Sequence, residues 1–128
     1  MPAHKPEECD LLVIKAIEEG DIEAAVALYE PDATFVVSPD NVVTGLDAIR
    51  EVMQGFIDSD TTFDVEGVTA VPSGDGSIAV LRAKATATGP GPDGKTVTTP
   101  VHTIEVVRRQ PDGTWRFIID DPGGEGAV

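Results

Sequence analysis

The sequence predicts an α+β fold in which helices come first and an antiparallel sheet follows. Two observations carry this. In the first half, apolar residues recur at helical spacing, at Ile22, Ala25, Val26 and Tyr29 and again at Ile49, Val52, Met53 and Phe56. After Ser59 the period becomes that of strands, with β-branched runs separated by clusters of Gly, Pro and Asp. Strands joined by short turns form a meander, and helices that precede such a sheet pack on one face of it.

The elements follow in order. A first helix is expected over residues 6–19, where Pro6 suits the first turn and Glu7, Glu8 and Asp10 complement the helix dipole. Its apolar stripe is Val13, Ile14 and Ile17. Gly20 ends it, and Asp21 is a good N-cap for a second helix, which Pro31 and Asp32 stop and which carries Tyr29 at its end. Residues 33–37 and 42–44 read as two short strands around the turn Ser38-Pro39-Asp40-Asn41. Gly45 opens the third helix. Strands are then expected over 61–71, 77–88, 95–109 and 114–121, with a tight turn at Pro111-Asp112-Gly113. Residues 1–6 and 123–128 read as flexible tails of a single domain.

Composition narrows the function. At 128 residues the chain fits one domain, and 41% hydrophobic content supports one core. Nine Lys and Arg against 23 Asp and Glu give a net charge of −14. Such a chain lacks the clustered cations that nucleic-acid backbones and anionic membrane surfaces require, and its acidic surface favours dispersion. The single cysteine, Cys9, permits no intrachain disulfide. No apolar run approaches the ~20 residues of a membrane span, and the first residues lack a signal-peptide pattern, so a cytoplasmic protein is expected. Two histidines, one near the N-terminus, are too few for a recognisable metal site, and no cofactor motif is present: the 89–94 loop lacks the Lys-Ser/Thr of a phosphate cradle.

Several local motifs resemble a known superfamily. The stretch from Gly20-Asp21 through Ala27-Leu28-Tyr29 to Pro31-Asp32-Ala33 and Phe35 is similar to the opening of the nuclear transport factor 2-like superfamily, most nearly its SnoaL-like and ketosteroid isomerase-like branch. Thr44-Gly45-Leu46-Asp47-Ala48-Ile49-Arg50 is similar to that family's entry to the third helix, and Trp115-Arg116-Phe117-Ile118-Ile119-Asp120 to its last strand. The resemblance implies a cystatin-like cone: three N-terminal helices in the concave face of a strongly curved mixed or antiparallel sheet, around a conical pocket. It also implies a homodimer through the outer sheet face, where Trp115 and Phe117 are expected to form an apolar stripe.

Function does not travel with a fold, so the site is compared residue by residue. Ketosteroid isomerase uses an Asp base with a Tyr and a protonated Asp as oxyanion donors. An ungapped alignment puts those three groups on Val37, Val13 and His102, so two of the three are apolar here. The same alignment turns His102 and Ile104, and Ile118 and Asp120 of the last strand, into the pocket. Counting outward from the Pro111–Gly113 turn brings His102 beside Asp120, and such a pair would give an acid or base that titrates near neutral pH. The expected catalytic residues are His102 and Asp120. The expected ligand-binding residues are Val13, Ile17, Tyr29, Val37, Met53 and Phe56, with Ile104 and Ile118. Two functions follow: an isomerase- or cyclase-like acid–base catalyst on an apolar carbonyl compound, or a non-catalytic dimeric binding module.

Overall fold

A computed structural model describes residues 2–124. The elements are α1 (Glu8–Glu18), α2 (Ile22–Val26), β1 (Tyr29–Ser38), β2 (Asn41–Thr44), α3 (Leu46–Asp58), β3 (Thr62–Pro72), β4 (Ile78–Pro90), β5 (Thr96–Arg109) and β6 (Trp115–Asp121). They are the elements the sequence predicts, in the predicted order. The strands form one six-stranded mixed sheet in the order β2-β1-β6-β5-β4-β3. All neighbours are antiparallel except β1 and β6, which run parallel and close the meander onto the first hairpin.

Local chemistry sets the boundaries. The Asp21 carboxylate accepts the Ala24 N–H at 3.1 Å and starts α2 as expected. Gly45 precedes α3 at a φ of 98°, a conformation that disfavours a side chain. The second helix is shorter than expected, and Tyr29 is the first residue of β1 rather than the last of a helix. Pro31 and Asp32 lie inside β1, in a bulge between the Tyr29–Phe117 and Thr34–Ile119 pairs. A proline offers no N–H to a ladder, so the strand detours around it.

The core lies between the helices and the inner sheet face. Val13, Ala16 and Ile17 of α1 and Ile49 and Met53 of α3 pack with Phe35, Leu81, Val107 and Phe117 of the sheet. Trp115 and Phe117 belong to this core, which overturns their expected place on the outer face. Nor is the segment around Ala3, within the expected 1–6 tail, free. Ala3 is fully buried, and its carbonyl accepts the Trp115 N–H at 2.9 Å. Of the expected C-terminal tail, Gly124 is tied by its N–H to Asp121 Oδ1 at 2.9 Å, and residues 125–128 lie outside the described residues.

Strand parity determines what faces inward. In β4, Ala79, Leu81, Ala83 and Ala85 are buried while Arg82 and Lys84 are exposed, so the odd positions face the helices. Cross-strand partners share a face. Lys84 pairs with His102 and Arg82 with Ile104, which puts both β5 residues on the outer face. Ala83 pairs with Thr103 and Leu81 with Glu105, which turns those two inward.

Candidate active site: a carboxyl cluster in an apolar cavity

A cavity of about 60 Å³ opens between α1, α3 and the inner sheet face. Most of its wall is apolar: Val13, Ile14 and Ile17 from α1, Met53 and Phe56 from α3, Phe63 and Val65 from β3. The polar groups are Asp10 of α1, Tyr29 of β1, Thr103 and Glu105 of β5, and Asp120 of β6, and no lining residue is basic. The volume is small beside the roughly 300–1,000 Å³ of drug-sized ligand sites.

Tyr29 and Asp120 meet in this cavity. The phenol donates to Asp120 Oδ2 at 2.5 Å, and the Tyr29 ring stacks on Phe117 with centroids 4.8 Å apart. Burial pushes the Asp120 carboxyl up to about 7; the Tyr29 hydrogen bond opposes that rise, while the charges of Asp10 and Asp121 add to it. The Tyr29 hydroxyl is in turn pushed well above its ordinary range, first by burial and then by the Asp120 charge.

Glu105 is 1% exposed, and its carboxyl lies within hydrogen-bonding reach of the Asp10 carboxyl and the Thr103 hydroxyl. Asp10 Oδ2 and Thr103 Oγ1 are buried with it in the same cluster. Burial, reinforced by the neighbouring Asp10, pushes Glu105 up to about 12, and burial raises Asp10 too. At neutral pH the cluster therefore combines a neutral acid, Glu105, with a group near its titration midpoint, Asp120. Those are the two components that general acid–base chemistry needs at one place.

Of the residues expected from sequence, Val13, Ile17, Tyr29, Met53, Phe56 and Asp120 line this cavity. His102 and Ile104 do not. They lie along a groove of about 780 Å³ on the outer face, with Arg82, Lys84 and Glu66. The expected His102–Asp120 pair is thus overturned, because Asp120 pairs with Glu105. The offset of three residues is odd, so His102 projects to the opposite side. Ile118 is not on the wall either: it falls where the β5–β6 register shifts, between the Val107–Phe117 and Val106–Ile119 pairs. Val37 is 44% exposed and lines a separate trough of about 620 Å³ between α3 and the β4–β5 hairpin, which Phe56 also borders.

Sequence reasoning missed Asp10 and Glu105. Asp10 carried a usable signal: it precedes Val13, Ile14 and Ile17 at helical spacing, so it shares their buried stripe. For Glu105 the signal lies in β4, where Arg82 and Lys84 alternate with alanines and so fix the parity of the strand beside it.

The comparisons agree with the architecture. A profile of the SnoaL-like domain matches residues 12–118, so the chain belongs to the SnoaL-like family. A candidate dehydratase of the nuclear transport factor 2-like family from Streptomyces avermitilis superposes with a TM-score of 0.73 at 18% identity, over 88% of this chain and 89% of that one. An uncharacterized cystatin-like protein from Caulobacter vibrioides superposes at 0.76 with 17% identity, over 88% and 82%. A candidate polyketide cyclase from Xanthomonas campestris superposes at 0.66 with 14% identity, over 89% and 85%. These likenesses establish a shared cystatin-like fold. No curated protein matches the sequence.

Proposed function

We propose that the chain is a cofactor-free acid–base catalyst acting on a compact, largely apolar carbonyl compound. The observation that carries this reading is the group of three buried carboxyls and a tyrosine in an apolar cavity without a basic residue. Such a cluster costs stability, because each carboxyl loses hydration without gaining a cation. In the proposed reaction the Asp120 carboxylate removes a proton from the carbon beside the carbonyl. Protonated Glu105 donates a hydrogen bond to the oxygen on which negative charge develops, and Asp120 returns the proton to a different carbon. Titration of Asp120 near 7 suits a group that must both accept and release a proton. A ring-sized compound requires the half-buried Phe56 and Phe63, now edge to face at 5.6 Å, to move apart.

The test is solvent exchange. The protein is incubated in deuterated buffer with cyclohexenone, acetylacetone or ethyl acetoacetate, and deuterium uptake is followed by NMR. Catalysed uptake that Asp120→Asn abolishes is expected. Uptake no faster than buffer for every compound, together with unshifted methyl resonances of Met53 and Val13, overturns the reading and leaves a non-catalytic module.

We further propose a homodimer through the outer sheet face. Val71, Val80, Val106 and Ile119 are successive cross-strand partners and form one apolar row there, with Val71 51% and Ile119 42% exposed. Light scattering should give twice the chain mass for the wild type and the chain mass for Ile119→Lys. A monomeric wild type overturns the dimer.

A further inference from the structure

The cavity of about 60 Å³ has room for the reacting end of a carbonyl compound and little more. One side chain stands between it and a much larger space. Phe56 lines the cavity and also borders the trough of about 620 Å³ between α3 and the β4–β5 hairpin; among the described residues no other lines both. Its ring lies against Phe35 at 6.5 Å and against Phe63 at 5.6 Å. These are tilted and edge-to-face contacts, which an apolar ligand can replace.

The trough has the volume of a ligand site, which the cavity lacks. Val37 and Val97, each 44% exposed, present apolar surface to it, and Glu51 is the one charged residue on its wall among those described. Its most informative residue is Gly55, in the last turns of α3. Glycine weakens a helix, so its presence there needs a reason. Conformation is not the reason, since Gly55 has no positive φ. Close packing is not the reason either, since nothing lies within 4 Å of where a Cβ would stand. The glycines of the facing hairpin differ: a Cβ on Gly89 would meet Thr61 Oγ1 at 2.9 Å, and one on Gly91 would meet Val97 Cγ2 at 2.5 Å. What Gly55 does is leave the trough open on its helix side.

We propose that the trough holds the apolar body of the substrate, that the carbonyl end passes Phe56 into the cavity, and that Gly55 sets the length of body accepted. The inference rests on the proposed reaction and names the rest of its substrate: an uncharged alkyl or ring extension beyond the compact carbonyl head. Each methylene that leaves water for the trough adds to binding, so affinity rises with the length of the body.

NMR titration with ethyl and hexyl acetoacetate tests this. The methyls of Val52 and Val97 report on the trough, and those of Met53 and Val13 on the cavity. The hexyl ester should bind at least tenfold more tightly than the ethyl ester and shift both sets. Gly55→Arg lays a long charged side chain in the trough and pairs it with Glu51 one helical turn before, so the helix is kept. It should cut the hexyl-to-ethyl ratio to about twofold while circular dichroism stays unchanged. Val97→Asp, on the opposite wall, should act in the same direction and serves as the second variant. Equal affinities of the two esters, absence of saturable shifts at Val52 and Val97, or an unaltered ratio in both folded variants overturns the inference. Deuterium exchange is measured separately. Exchange of the ethyl ester without a preference for length would remove the trough and leave the proposed reaction standing. A hexyl ester seated in the trough without exchange would remove the reaction alone.

Discussion

Tyr29 and Asp120 are 91 residues apart in sequence, yet the phenol donates to the carboxylate at 2.5 Å inside the core. One opens β1 and the other lies near the end of β6, so the parallel pairing of those strands creates the contact. Tyr29→Phe removes the hydrogen bond that holds the Asp120 carboxyl down. We expect the Asp120 titration, followed through its side-chain carbon by NMR, to move above its wild-type position near 7. A downward shift would mean that the phenol does not stabilise the carboxylate.

Stability should fall as pH rises. Asp120 titrates near 7 in the folded chain and near 3.8 in the unfolded one. Between those values the folded state holds a proton that the unfolded state has released, so each step upward in pH favours unfolding. The contribution is fully present below about pH 3.8 and lost through about pH 7. Thermal melts from pH 5 to 8 should show a falling Tm, and Asp120→Asn should lessen the slope below about pH 7 and leave the part that Glu105 contributes. A variant with the wild-type slope would place the titrating group elsewhere.

Glu105 should behave as a neutral residue. Held protonated by burial and by Asp10, it resembles an amide more than a carboxylate in shape and charge. Urea denaturation at pH 7 should leave Glu105→Gln at least as stable as wild type, because the amide spares the proton that Glu105 must take up on folding. Glu105→Ala should cost about 2–4 kcal/mol, the range for truncating a large buried side chain. A Gln variant as unstable as the Ala variant would show that the charge itself is needed.

His102→Ala should leave deuterium exchange within about twofold of wild type, because surface changes remote from a site carry little energy. The reason is geometric: His102 pairs with Lys84 on the outer face, across the sheet from Asp120. Loss of exchange in that variant would require a route through the sheet that the register excludes.

The fold was legible because its signals are local. Asp21 as N-cap, Gly45 before α3 and the Pro111–Gly113 turn each act within a few residues. The site was legible only in part. Helical spacing found Val13, Ile17, Met53 and Phe56, whereas strand parity had to be carried across a turn and an irregular ladder. Between Phe117 and Ile119 the register shifts by one residue, so a count that assumes a regular ladder reaches the wrong partner for Asp120. Pro31 misled for a related reason, since a residue that breaks helices also marks strand bulges. Asp10 looked like an ordinary first-turn acid because its burial depends on Glu105 and Asp120, far along the chain.

The lock between Ala3 and Trp115 turns the first residues into something that can be watched by light. Trp115 is the sole tryptophan, and its backbone N–H is held by the Ala3 carbonyl. Its indole emission therefore belongs to a single site, and release of the N-terminal segment would wet that site and redden the spectrum. The chain carries its own optical reporter of that contact, with no label added.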